Sequence, residues 1–234
     1  MNPLLESAVA AHGGLDRWNQ ITSITIDASI TGAFWAIKGK GDVLRDVRFE
    51  VDTTRERLTM DFPGEDKRSV YEPRRVVLQR SDGTLIDARD HPERSFDGHQ
   101  FETAWDDIHL AYFTGEALWT YLTMPFLATW PGFATEEIAP IEAGGETWRR
   151  LKVTFPDHIE THSREQVFCF GPDGLLRRHD FAIDILGGVP SQLNATGYRE
   201  VDGIIIPATR RAYAPDGDGQ IVMVAIDMDK ITIR

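Results

Sequence analysis

Residues 103–132 read TAWDDIHLAYFTGEALWTYLTMPFLATWPG, an aromatic-rich stretch of helical character, and the sequence on both sides of it alternates with the period of a strand. Upstream, SITIDASITG sets Ile24, Ile26, Ala28 and Ile30 against Ser23, Thr25, Asp27 and Ser29, the pattern of a strand buried on one face. VRFEV, ERLTMDF, RSVYE, RVVLQR and LIDAR follow, with SDGT at 81–84 as a turn. Downstream, TWRRLKVTF, EQVFCF, LLRRHDFAID, GYREV, GIIIPATRRAY and IVMVAIDMDKITI resume the pattern, punctuated by PDG at 172–174 and DG at 202–203. The stretch between carries Trp105, Tyr112, Phe113, Trp119, Tyr121, Phe126 and Trp130, ends near Pro125 or Pro131, and is too apolar to stand in water alone. One large antiparallel sheet wrapped around a helical insert at about residues 103–131 satisfies both patterns.

Ahead of the sheet, Leu4, Leu5, Val9 and Ala10 predict a short N-terminal helix that Gly13 and Gly14 end or bend before LDRWNQI. No flexible linker separates the two strand-rich halves, so residues 1–234 are expected to form a single domain, a size that antiparallel sheets commonly reach around one core. The formal charge of −12 opposes binding to nucleic acid or an anionic membrane, and no apolar run is long enough to span a bilayer. The short basic runs at Arg74, Arg149, Arg177 and Arg210 are expected to be solvated strand edges. The start, MNPLLESAVAAHGG, lacks the basic flank and apolar run of a secretory signal, and the single cysteine, Cys169, allows no internal disulfide. A cytoplasmic location is the resulting expectation, with Cys169 a buried structural thiol.

A short N-terminal helix with AHGGLDRW, a long meander, a helical interruption and a late YREVDGIIIPATRR hairpin together resemble the bacterial lipoprotein-carrier-like half-barrel superfamily, which includes outer-membrane lipoprotein-sorting proteins. The resemblance covers nearly the whole chain and rests on the order of elements. It implies an α+β fold, a large curved antiparallel sheet forming a half-barrel around helices, whose concave face holds an acyl chain or another apolar guest. The same scaffold also hosts a cofactor-free biosynthetic enzyme, so fold alone does not choose between carrying and catalysing.

The polar residues suited to such a pocket concentrate in HSREQVFCFGPDGLLRRHDFAID, residues 162–184. With GPDG at 171–174 as the loop, Phe170 falls opposite Leu175, Gln166 opposite His179 and Arg164 opposite Phe181. His162, Arg164, Gln166, Phe168 and Phe170 then share a face with Leu175, Arg177, His179, Phe181 and Ile183. The expected function is binding of a lipophilic or aromatic small molecule, with Gln166, Phe168, Phe181, Trp119 and Tyr121 as ligand-binding residues. The alternative is a cofactor-independent enzyme in which His179 or His162 exchanges a proton and Arg164 stabilises developing negative charge. A weaker third possibility is a partner-binding domain using exposed sheet edges.

HIETH at 158–162 would present His158, Glu160 and His162 on one face if extended, but the preceding FPD favours a turn, and no metal is expected. No phosphate-binding or dinucleotide fingerprint and no nucleophile elbow occurs, so no cofactor is expected and a serine hydrolase is disfavoured. His109 is expected on a solvated helix surface beside Asp106, which suits a helix cap.

Overall fold

The computed structural model describes residues 1–214 and 221–234. Helix α1 (Pro3–Ala11) starts on Asn2, whose side-chain oxygen accepts from the Leu4 amide at 2.9 Å, and the single turn α2 (Leu15–Trp18) follows the glycine pair. Six strands form the first meander: β1 (Ser23–Thr31), β2 (Val47–Asp52), β3 (Leu58–Phe62), β4 (Lys67–Glu72), β5 (Arg75–Gln79) and β6 (Leu85–Asp90). The short helix α3 (Ala33–Ile37) intervenes between β1 and β2, and α4 (Asp107–Thr123) follows β6. The second meander is β7 (Ala134–Ala143), β8 (Glu146–Thr154), β9 (Glu165–Phe170), β10 (Leu176–Ile183), β11 (Val189–Val201), β12 (Ile204–Tyr213) and β13 (Val222–Ile233).

Among the described residues, all thirteen strands join one open antiparallel sheet in the order β6-β5-β4-β3-β2-β1-β13-β12-β11-β10-β9-β8-β7. The first and last strands pair at its centre, Ile26 opposite Ile231 and Ile30 opposite Ile226. Consequently β6 and β7 lie at opposite edges, and the chain between them has to travel from one edge to the other. A buried crossing segment cannot leave its amides and carbonyls unpaired, and a helix pairs them internally. That segment is α4.

Every residue of α4 from Ile108 to Thr123 is buried. Its first turn is closed by a reciprocal cap: Asp106 Oδ1 accepts from the His109 amide at 2.8 Å, and His109 Nδ1 accepts from the Asp106 amide at 3.2 Å. His109 is therefore buried in a cap, with Nε2 3.2 Å from the Ser95 carbonyl, and not on a solvated surface. At the other end Pro125 has no N–H to give the carbonyl of Tyr121, which turns elsewhere for a donor.

The strands that the sequence obscured lie at the margin. β7 is Glu-rich and holds Pro140, and it forms an exposed edge strand whose ladder is interrupted between Ile138 and Ile141. β11 begins at Val189, well before GYREV, because GGVPS reads as loop. Of the four basic runs, Arg74 and Arg149 are exposed as expected, but Arg177 is half-buried against Glu146, Asp173 and Tyr198, and Arg210 is only 1% exposed. Arg210 lies on β12, next to the centre of the sheet, with its side chain on the inner face shared by Ala208 and Ala212.

The β9–β10 hairpin pairs Phe170 with Leu176 and, beyond a bulge at Arg177, Phe168 with His179. Beyond the bulge the expected register is displaced by two residues, which preserves the faces there, so Gln166, Phe168, His179, Phe181 and Ile183 all point inward; at the loop end the displacement is one, and Leu176 takes the inward place expected for Leu175. The bulge turns Arg177 off that face.

Candidate functional site

Helix α4 leans on one half of the sheet. It packs against β2 to β5, with Tyr112 edge-on to Tyr71 and the Trp119 indole donating to the Asp52 and Arg55 carbonyls at 2.9 and 3.0 Å. Its opposite stripe, Phe113, Thr114, Ala117, Leu118 and Tyr121, faces the other half across a gap. The gap is a part-open cavity of about 100 Å³, walled by Phe181 and Ile183 of β10, Leu193 of β11, Ala212 of β12 and Ile226 of β13, and by Phe34 and Trp35 of α3. Exposed Pro190 and Tyr213 stand at its mouth, whereas Leu118, Leu193 and Ile226 are each about 2% exposed. The lining is overwhelmingly apolar.

A buried polar chain lies against this cavity. Glu116 Oε1 is 3.0 Å from His162 Nδ1, and His162 Nε2 is 2.8 Å from the Tyr121 hydroxyl. If Nδ1–H donates to the carboxylate, Nε2 accepts from the phenol, so one tautomer satisfies both contacts. Burial drives the Tyr121 hydroxyl well above the ordinary phenol range. Next to it His179 Nε2 is 2.6 Å from Gln166 Oε1, and the Gln166 amide donates to Thr161 Oγ1 at 2.6 Å and to the Ser163 carbonyl at 2.8 Å. His179 Nδ1 has no partner among the described residues. Burial, His162 and Arg210 push the His179 imidazole well below its usual value, which keeps it neutral.

Aromatic rings tie the chain to the cavity wall. His162 stacks on Phe181 with centroids 4.5 Å apart, and His179 stacks on Phe168 at 4.2 Å. Of the residues expected to bind ligand, Tyr121 and Phe181 line the cavity; Gln166 and Phe168 lie behind it, around His179; Trp119 is on the far face of α4, roughly 200° around the helix from Tyr121 at about 100° per residue. Of the expected catalytic residues, His162 and His179 belong to the buried cluster. Arg164 does not. β9 begins only at Glu165, so Arg164 sits in the preceding loop, 58% exposed and ion-paired with Asp157.

The HIETH residues are also dispersed. His158 is exposed, Glu160 accepts from the Arg74 amide at 2.9 Å, and His162 is committed to Glu116 and Tyr121. Cys169 is fully buried on the other face of β9, and burial together with Asp180 raises its thiol to about 11. It is not poised as a nucleophile.

Two participants, Glu116 and Lys38, carry no expectation from the sequence, and a third, Arg210, is expected at a solvated strand edge and is buried instead. Glu116 is the one carboxylate of α4 beyond its first turn, and that isolation was the available signal. Arg210 stands in GIIIPATRRAY at the parity of Ile204, Ile206 and Ala208, which marks it as inward-facing. Lys38 is buried with its ammonium over Phe34, Phe101 and Trp105 at 5.4, 5.3 and 4.9 Å, donating to the Phe101 carbonyl, and it fixes two cavity-wall segments together.

A second, polar cleft of about 460 Å³ lies on the loop between β8 and β9 and holds Arg74, Glu93, Arg94, Tyr112, Glu160 and Arg164. Here the loop is latched to the opposite wing of the sheet: Glu160 accepts from Arg74, and Glu56 Oε2 accepts from the Glu160 amide at 3.2 Å while Tyr71 donates to Glu56. Burial raises Glu56 to about 8, and burial with Glu93 raises Glu160 to about 7.

No family model and no curated protein matches the chain. Solved structures do. A DUF1329 family protein from Desulfovibrio piger superposes with a TM-score of 0.58 at 14% identity, covering 98% of this chain and 91% of that one. A domain from Vibrio parahaemolyticus named for outer-membrane lipoprotein sorting gives 0.58 at 9% identity, over 99% and 91% of the two chains. A LolA superfamily protein from Nitrosomonas europaea gives 0.55 at 11% identity, over 99% and 92%. At these identities the likeness is one of architecture, and the architecture is the lipoprotein-carrier-like half-barrel.

Proposed function

We propose that the protein binds a lipophilic or aromatic small molecule in the cavity between α4 and strands β10 to β13. The observation that carries this is the cavity itself: an apolar space with buried walls and an exposed mouth, left because the helix occupies only half of the concave face. A volume of about 100 Å³ is smaller than the roughly 150 Å³ of an engineered apolar cavity that admits benzene. A longer guest therefore extends through the mouth past Pro190 and Tyr213, or displaces the wall. Similarity to a domain named for lipoprotein sorting supports a lipophilic guest in general terms.

The test is titration with the neutral fluorescent probe N-phenyl-1-naphthylamine, together with intact-mass measurement of the purified protein under native and denaturing conditions. Ala117→Phe directs a ring into the cavity and is expected to weaken probe binding by tenfold or more while the fold persists. Unchanged binding in that variant would place the guest elsewhere.

A second reading is favoured by the Glu116–His162–Tyr121 chain, whose last member lines the cavity. A carboxylate that orients an imidazole, which in turn accepts a hydroxyl proton, is an arrangement suited to moving a proton. Turnover lost in His162→Gln with probe affinity retained would favour catalysis. Affinity lost with no turnover in either protein would favour binding alone.

A further inference from the structure

Among the described residues, Arg210 is a buried cation without a counter-anion. Its Nη2 donates to the Tyr121 carbonyl at 2.7 Å, replacing the amide that Pro125 lacks, but Nε and Nη1 have no acceptor among the described residues. The ionisable groups whose charges bear on it are the phenols of Tyr121 and Tyr198, and it in turn acts on His12 and His179. Burial lowers the guanidinium only to about 10, so it stays charged at neutral pH. Isolating a charge from water without a partner is strongly unfavourable, and the free donors call for an acceptor bearing negative charge.

Its position connects it to the cavity. Ile226, directly opposite Arg210 on β13, and Ala212, two residues along the same face at about 7 Å, both line the cavity. The guanidinium carbon lies 5.3 Å from the centroid of the Tyr121 ring, another lining residue, and His179 with its free Nδ1 packs edge-on to the same ring at 5.7 Å. Arg210 is not itself a lining residue, but its unsatisfied donors lie behind the apolar wall, next to the Tyr121 ring.

We propose that Arg210 seats the anionic group of the guest, so that the molecule taken up is a carboxylate whose apolar body fills the cavity and whose head passes beside Tyr121. This rests on the cavity being a binding site. His179 adds no donor, because its ring proton is on Nε2 toward Gln166 Oε1, so the seat is Arg210 alone, and a neutral guest leaves Arg210 as it stands.

Octanoate and octanamide, equal in length and differing in charge, are titrated calorimetrically into the wild-type protein and Arg210→Met. Charge-assisted hydrogen bonds contribute enough to favour octanoate by about tenfold or more. In Arg210→Met that preference is expected to vanish, with octanamide affinity nearly unchanged. Equal affinities in the wild type, or a preference that survives the substitution, overturn the anion seat and leave the lipophilic cavity standing. Failure of both probes to bind overturns the cavity reading and this one with it. Should Arg210→Met not fold, ¹³C-carboxyl-labelled octanoate on the wild-type protein decides: a bound carboxyl that titrates below its free value supports the seat, and one that titrates at or above it overturns the seat.

Discussion

At Gly115, α4 meets β4 with no room for a side chain: a Cβ there would stand 2.3 Å from Tyr71 Cγ. The residue is helical with ordinary dihedral angles, so its role is close approach and not conformational freedom. Gly115→Ala is expected to force the helix off the sheet and to cost about 1–3 kcal/mol by overpacking, read as a fall in the urea midpoint. An unchanged midpoint would show that Tyr71 yields without cost. The same face explains why Trp119 and Tyr121, two residues apart in sequence, part company: one is fixed to backbone carbonyls near β2 while the other faces the cavity. The expectation that the two point different ways was available from helix geometry, whereas which of them faced the cavity was not, since both are aromatic and buried.

At the level of elements, the loop between β8 and β9 is the piece whose behaviour depends on pH. Glu56 holds the loop amide of Glu160 in a buried setting, and its folded value of about 8 lies above the ordinary 4.5. The folded state thus binds a proton that the unfolded chain releases between pH 4.5 and about 8. Glu56 contributes its stability in full below 4.5 and loses it as pH rises through about 8, at up to roughly 1.4 kcal/mol per pH unit. Glu160 adds to the same trend up to about 7. His12 acts oppositely: burial depresses it from 6.5 to about 4, so its contribution is present above 6.5 and is lost as pH falls toward 4. Thermal melting of wild type against Glu56→Gln from pH 5 to 9 is expected to show a shallower alkaline decline in the variant. Parallel curves would remove Glu56 as the cause. The loop was the least legible element. HIETH gives either an extended ligand set or a turn on paper, and the structure resolves it by sending His162 inward and Arg164 outward from a turn that ends only at Glu165.

For the whole molecule, one sheet and one continuous core predict one cooperative unfolding event, with far-UV circular dichroism and tryptophan fluorescence coinciding through a urea titration. Separate transitions would mean that the two meanders fold independently despite the β1–β13 seam. The sequence by itself determined the α+β class, the antiparallel strands, the helical insert and the inward positions of β9 and of β10 beyond its bulge, because strand alternation and helical spacing are local periodicities that burial imposes directly on the chain. The tertiary structure alone decided what those faces surround. The seam between β1 and β13 sends α4 across the concavity from edge to edge, its lean toward β2–β5 leaves the cavity, and its passage brings Glu116 to His162 and Tyr121 to Arg210. These partners are 46 and 89 residues apart. No local period records such contacts, since they arise from packing across the sheet and not from the spacing of neighbours.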